Sequence, residues 1–188
     1  MFRITVAAIV LASTMTTGAK EIPEGFLLHE KEAAVSERTG APLLVSPCAY
    51  SDGRPGGSTA GGADRLDART VYSARAEQVI LYSSATAARL ALQTFRAEVG
   101  RCGKKKTFRR GLTEIWLGDE GWKSTGRTYG KGRAGQEDNV VIVRRANALV
   151  TYLRAGTGPA KPRALRGLIA DAAEMQAKIC DIAECVTG

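Results

Sequence analysis

Apolar positions recur most regularly between residues 85 and 102. Ala85, Ala88, Leu92, Phe95, Val99 and Cys102 fall at alternating three- and four-residue steps, the period of one buried helix face. Arg89, Gln93, Arg96 and Arg101 lie off that stripe. The pattern predicts a helix over 85–102, capped by the Ser83-Ser84 pair and stopped by Gly103. A second stripe, Leu165, Leu168, Ile169, Ala172, Met175/Gln176 and Ile179, predicts a long final helix. Pro159 and Pro162 fit only at its start.

Other segments carry strand signals. Residues 70–72, 78–82, 113–117 and 122–129 are short runs with β-branched or aromatic residues. A turn is expected at Gly118-Asp119-Glu120-Gly121, and a polar loop over 130–138. Residues 139–144 and 148–153 read as a hairpin around Arg145-Ala146-Asn147. Near the start, Ile22-Pro23-Glu24-Gly25-Phe26 suggests an extended lead-in. Residues 30–38 suggest a short helix stopped by Gly40, and Leu43-Leu44-Val45 a strand leading to Cys48. The Gly/Ser-rich stretch 53–63 reads as a flexible loop. It contains no Lys, so it does not form a Walker phosphate loop. The expected fold class is α+β, an antiparallel sheet packed with two main helices.

The N-terminus changes how the cysteines are read. Arg3 precedes an apolar run over 4–12, then a small, polar stretch over 13–19. Thr17 and Ala19 take the −3 and −1 positions of a cut before Lys20. The run is far shorter than the roughly 20 residues of a membrane-spanning helix. Residues 1–19 are therefore expected to be a signal peptide, and 20–188 a single secreted domain. No Cys follows the apolar run to carry a lipid anchor. No second long apolar run exists to keep the mature chain in a membrane.

Export makes Cys48, Cys102, Cys180 and Cys185 disulfide candidates. They allow three connectivities. The favoured one is Cys48–Cys102 with Cys180–Cys185, because Cys102 ends the first apolar stripe. Residues five apart on a straight helix lie roughly 8–9 Å apart, beyond disulfide reach of about 7 Å. A Cys180–Cys185 bond therefore requires the helix to end or bend between them. No CxxC occurs, and His29 is the sole histidine. No metal site or cofactor is expected.

Composition adds a charge problem. The chain is 44% hydrophobic and 24% charged, a globular profile that excludes wholesale disorder. It carries 27 Lys and Arg against 19 Asp and Glu, for a net charge of +8. Arg101, Lys104, Lys105, Lys106, Arg109 and Arg110 concentrate that charge in one stretch without an acid. Such a cluster attracts polyanions by counterion release; it also suits a solvated loop after a helix C-terminus. No nucleic-acid-reading motif accompanies it, so sequence-specific nucleic-acid binding is not expected.

Trp116, Trp122, Arg127 and Tyr129 form a second candidate surface, a ligand cleft or part of the sheet core. No catalytic residue is assigned. G-x-S-x-G is absent, and the neighbouring carboxylates Asp119 and Glu120 are expected to point apart.

This layout resembles the actinobacterial secreted sensor-like family, which includes PknH-like extracellular sensor domains of receptor kinases. The residues carrying the resemblance are Ile22-Pro23-Glu24-Gly25-Phe26, Cys48, the stripe helix ending in Cys102, Leu117-Gly118-Asp119-Glu120, Val140-Val141-Ile142-Val143-Arg144-Arg145 with Asn147, and a terminal helix bearing Cys180 and Cys185. It spans about residues 22 to 185. It implies an antiparallel sheet with packed helices, two intramolecular disulfides and a ligand-binding cleft. It brings no catalytic signature. The receptor kinases also have transmembrane and kinase segments, for which this sequence shows no pattern.

The sequence thus reads as an exported, disulfide-stapled, non-catalytic binding domain that recognises an unknown small molecule or envelope component. The alternatives are a basic protein that binds anionic wall or lipid polymers through 101–110, and a secreted enzyme or inhibitor.

Overall fold

The computed structural model describes residues 22–32, 35–37, 43–49, 65–72, 74–102, 104–129, 135–157 and 162–185. The expected signal peptide, the 53–63 loop, Gly40, Gly103 and Pro159 lie outside them.

One antiparallel sheet organises the chain. Its strands are β1 (Val35–Glu37), β2 (Arg65–Tyr72), β3 (Arg75–Tyr82), β4 (Lys104–Lys105), β5 (Phe108–Ile115), β6 (Glu120–Thr128), β7 (Gln136–Arg145) and β8 (Ala148–Thr157). The spatial order is β1-β2-β3-β8-β7-β6-β5-β4. After β3 the chain crosses one face as helix α1 (Ala85–Cys102) to reach the far edge. It then returns as a meander until β8 pairs with β3. An 18-residue helix is about 27 Å long, enough to cover five interstrand steps of about 4.8 Å. Helix α1 touches strands from β3 to β4 along that path. Helix α2 (Pro162–Lys178) lies on the opposite face, over β7 and β8.

Strand periodicity divides the core in two. Ala76, Ile80, Tyr82, Val140, Ile142, Leu149 and Leu153 face α1 and pack on Ala88, Ala91, Leu92, Phe95 and Val99. Val79, Leu81, Val141, Val143, Val150 and Tyr152 face α2 and pack on Leu168, Ala172, Met175 and Ile179. The stripe of α1 is largely as expected, but Ala85 is exposed and Ala91 is buried. The Ser84 hydroxyl accepts the Ala87 N–H at 3.1 Å and caps the helix.

Several local expectations are corrected. The lead-in turns back: the Phe26 N–H reaches the Pro23 carbonyl at 3.2 Å, and Gly25 sits at φ 73°. That conformation is cheap only for glycine, and the turn buries Ile22, Phe26 and Leu27 against the α2 face. The described residues of the expected 30–38 helix are not α-helical. A 3-10 turn at Glu30–Glu32 precedes β1, which finds a ladder partner in β2. Leu43, Leu44 and Val45 join no strand ladder; they are buried plugs beside α1. Their anchor is Gln78, whose Oε1 accepts the Leu44 N–H at 2.9 Å while its Nε2 donates to Asp67 at 3.1 Å. The 101–110 segment is not a solvated loop. After α1 it forms the β4–β5 hairpin, with Lys104 opposite Arg109 and Lys105 opposite Phe108. The polar loop before β7 is shorter than expected, since β7 begins at Gln136.

Both cysteine pairs are bonded as favoured, Cys48–Cys102 and Cys180–Cys185, with Cα separations of 5.1 and 5.4 Å. Helix α2 ends at Lys178, and a 3-10 turn at Ile179–Asp181 brings the second pair together. The β7–β8 hairpin turns on Ala146 and Asn147, with Ala146 at φ 51°. Asp119 supports that conformation by accepting the Ala146 N–H at 2.7 Å. Asn147 joins three elements: its Nδ2 donates to Tyr82 at 2.8 Å and its Oδ1 accepts the Glu184 N–H at 2.8 Å.

Candidate functional site

The four residues of the sequence-derived cleft are not brought together. Trp122 faces α1, half-buried, with the Arg96 guanidinium 4.0 Å from its ring centroid. Arg127 is five residues further along β6 and therefore on the opposite face. It is bound to Glu137, with Nε at 2.9 Å and a terminal nitrogen at 2.5 Å. Tyr129 follows the end of β6, partly exposed, with Arg109 5.4 Å from its ring. Trp116 is fully exposed in the turn at the other end of β6.

The basic cluster is also divided. Arg101, Lys106 and Arg109 are exposed, and Arg101 pairs with Glu98 at 3.8 Å. The side chains of Lys104 and Lys105 lie outside the described residues. Arg110 is not a surface cation. Its side chain is fully buried against Asp138 at 2.7 Å and donates to Ser124 at 3.0 Å. Asp138 also accepts the Gly126 N–H at 3.2 Å. A Cβ at Gly126 would lie 2.6 Å from Arg110 and 2.7 Å from Asp138. Glycine there is what admits the pair. Asp119 and Glu120, expected to diverge, both bind Arg144 at 3.0 Å. The turn between β5 and β6 bends their side chains onto one guanidinium.

A different set of residues converges on the α2 face. A cavity of about 410 Å³ lies between the first half of α2 and the ends of β3 and β8. Arg75 begins β3 and stands directly opposite Arg154 of β8. Arg163 enters from the first turn of α2. Leu168 and Asp171, one turn apart, complete the helix side. Arg75, Arg154 and Arg163 are exposed and make no side-chain hydrogen bond or ion pair among the described residues. The first turn of α2 contains no acid, so its dipole adds to the positive potential.

Beneath this cavity lies a buried polar group. Two residues along the same face from the arginine pair, Glu77 stands opposite Tyr152. Tyr152 donates its hydroxyl to Glu77 at 2.5 Å; the Leu28 and His29 N–H groups donate at 3.1 and 3.0 Å. Burial pushes the Glu77 carboxyl above its ordinary range, although all three donors pull the other way. The His29 ring lies 3.6 Å from Asp171 and edge-on to Tyr152. The lead-in is thereby tied to the sheet and to one cavity wall.

The arrangement places three cations beside an apolar wall. Among the described residues, no three His, Cys, Asp or Glu side chains are grouped to hold a metal ion. No helix among them is long and apolar enough to cross a membrane. Sequence inspection missed the site because Arg75, Arg154 and Arg163 are scattered along the chain. Only the β3–β8 pairing makes the first two neighbours.

No family model and no curated protein matches this sequence. Among solved structures, the chain is similar to the extracellular domain of PknH from Mycobacterium tuberculosis. The TM-score is 0.38 and the identity 17%, over 62% of each chain. The chain thus spans less than two thirds of the length of that domain.

Proposed function

We propose that this chain is an exported, non-catalytic binding domain that holds a small anion in the α2 cavity. The observation carrying this reading is the trio Arg75, Arg154 and Arg163, three guanidiniums unpaired among the described residues around one concave space. Guanidinium forks match carboxylate and phosphate oxygens in geometry as well as charge. Two disulfides suit an oxidising compartment, and the leader pattern over 1–19 supplies the route. The partner is a small molecule or envelope component with an acidic group.

The test is thermal stabilisation at low ionic strength by ethyl phosphate and short carboxylates. Stabilisation should fade with added salt and vanish in an Arg75→Gln/Arg154→Gln variant that melts normally without ligand. No stabilisation by any of these anions, or equal stabilisation of the variant, would overturn the reading. Export has a separate check in peptide mapping of secreted protein without reduction. It should start near Lys20, and retention of Met1 would contradict export.

A second reading keeps the surface cations: Arg101 in the last turn of α1, and Lys106 and Arg109 in the hairpin that follows, all exposed. Through them the protein would adhere to anionic wall or lipid polymers. Salt-sensitive retention on wall material should be lost on Lys104/Lys105/Lys106→Ala; retention unchanged by that substitution counts against it.

A further inference from the structure

The cavity is larger than an anionic group requires. At about 410 Å³ it lies in the size range of sites that enclose organic molecules. Its charge and its apolar surface are segregated. Arg75 and Arg154 stand on the sheet side and Arg163 at the start of α2, whereas Ala164, Gly167 and Leu168 form the helix wall. Leu168 is fully buried at the back of that wall and belongs to the core. At Gly167 an added Cβ would meet nothing within 4 Å, so the space beside the wall is open there. The one acid on the lining, Asp171, is engaged by His29. The aliphatic stems of the arginines extend the apolar surface toward their charged ends.

Resting on the anion-binding reading above, we infer that the ligand is an anionic amphiphile. A phosphate or carboxylate head sits among Arg75, Arg154 and Arg163, and its hydrocarbon chain lies along Ala164, Gly167 and Leu168. The arginines supply charge complementarity at the head. The helix wall supplies the hydrophobic gain that inorganic anions lack.

The experiment is calorimetric titration of the whole domain with alkyl phosphates from ethyl to decyl, each below its micellar concentration. Affinity should rise about three- to fourfold per added methylene until the cavity is filled. Gly167→Leu places a side chain in that open space and improves helix propensity. It should cut the affinity gained per methylene relative to the wild type. If ethyl phosphate binds but affinity stays flat along the series, the amphiphile inference fails and the anion reading stands. If no member binds, both fail. A parallel arm incubates the protein with vesicles containing anionic phospholipid and then removes them. Lipid recovered with the protein supports the inference with a membrane lipid as the source. Binding of the free series without lipid extraction supports it with a soluble amphiphile.

Discussion

Two arginine sites on opposite faces of the sheet treat positive charge in opposite ways. On the α1 face, Arg110 is wholly buried and its charge is met by Asp138, with Ser124 and the Gly126 backbone completing the pair. On the α2 face, Arg75, Arg154 and Arg163 ring a cavity without partners among the described residues. A buried guanidinium cannot be left alone, because desolvation without a counter-charge costs several kcal/mol. An exposed one can wait for a ligand at little cost. The first arrangement is therefore structural and the second is available for binding. Their consequences for mutation should differ sharply.

The largest effect is expected where charge is buried. Asp138→Ala leaves the Arg110 guanidinium uncompensated and should cost about 3–5 kcal/mol; a loss below 1 kcal/mol in urea unfolding would contradict the structural role. The Cys48–Cys102 bond comes next. It closes a long loop whose ends are 54 positions apart, and its removal by Cys48→Ala/Cys102→Ala should cost about 4 kcal/mol in the chain-entropy model. The same model gives about 2 kcal/mol for Cys180→Ala/Cys185→Ala. Comparing the two variants by denaturant midpoint tests whether loop length governs the stabilisation.

Glu77 sharpens the comparison from beneath the cavity. Burial raises its folded-state pKa above the ordinary 4.5, so the folded state binds more protons between the two values. Its favourable contribution is complete below the unfolded pKa and is lost as pH rises through the folded one. The wild-type melting temperature should therefore fall across that window relative to Glu77→Gln. Parallel pH profiles for the two proteins would remove Glu77 from the account. The smallest stability effect is expected at the cavity rim. Arg75→Gln/Arg154→Gln should shift unfolding by no more than about 0.5 kcal/mol. A larger destabilisation would mean that these arginines are structural after all.

Elements with strong local signals were readable directly. Helix α1, the final helix, the β7–β8 hairpin and the placement of both disulfides follow from apolar period, turn residues and cysteine spacing. Weak signals failed where tertiary contacts outweighed them. Residues 30–38 have helical composition, yet pairing with β2 draws Val35–Glu37 into the sheet. The apolar run Leu43-Leu44-Val45 looks like a strand, but Gln78 satisfies its backbone from the side and it packs as a plug. The cluster 101–110 reads as one patch of charge, yet strand alternation sends Arg110 inward and Arg109 outward.

The sequence alone determined the α+β class and the two covering helices, because these depend on periodicity along the chain. Only the tertiary structure decided where charge is paired and where it is left open. Arg75 and Arg154 are 79 positions apart in sequence and directly opposite in register. Their meeting depends on the crossover of α1 and on the return of the meander to β3. That is a property of topology, and no local pattern of residues encodes it.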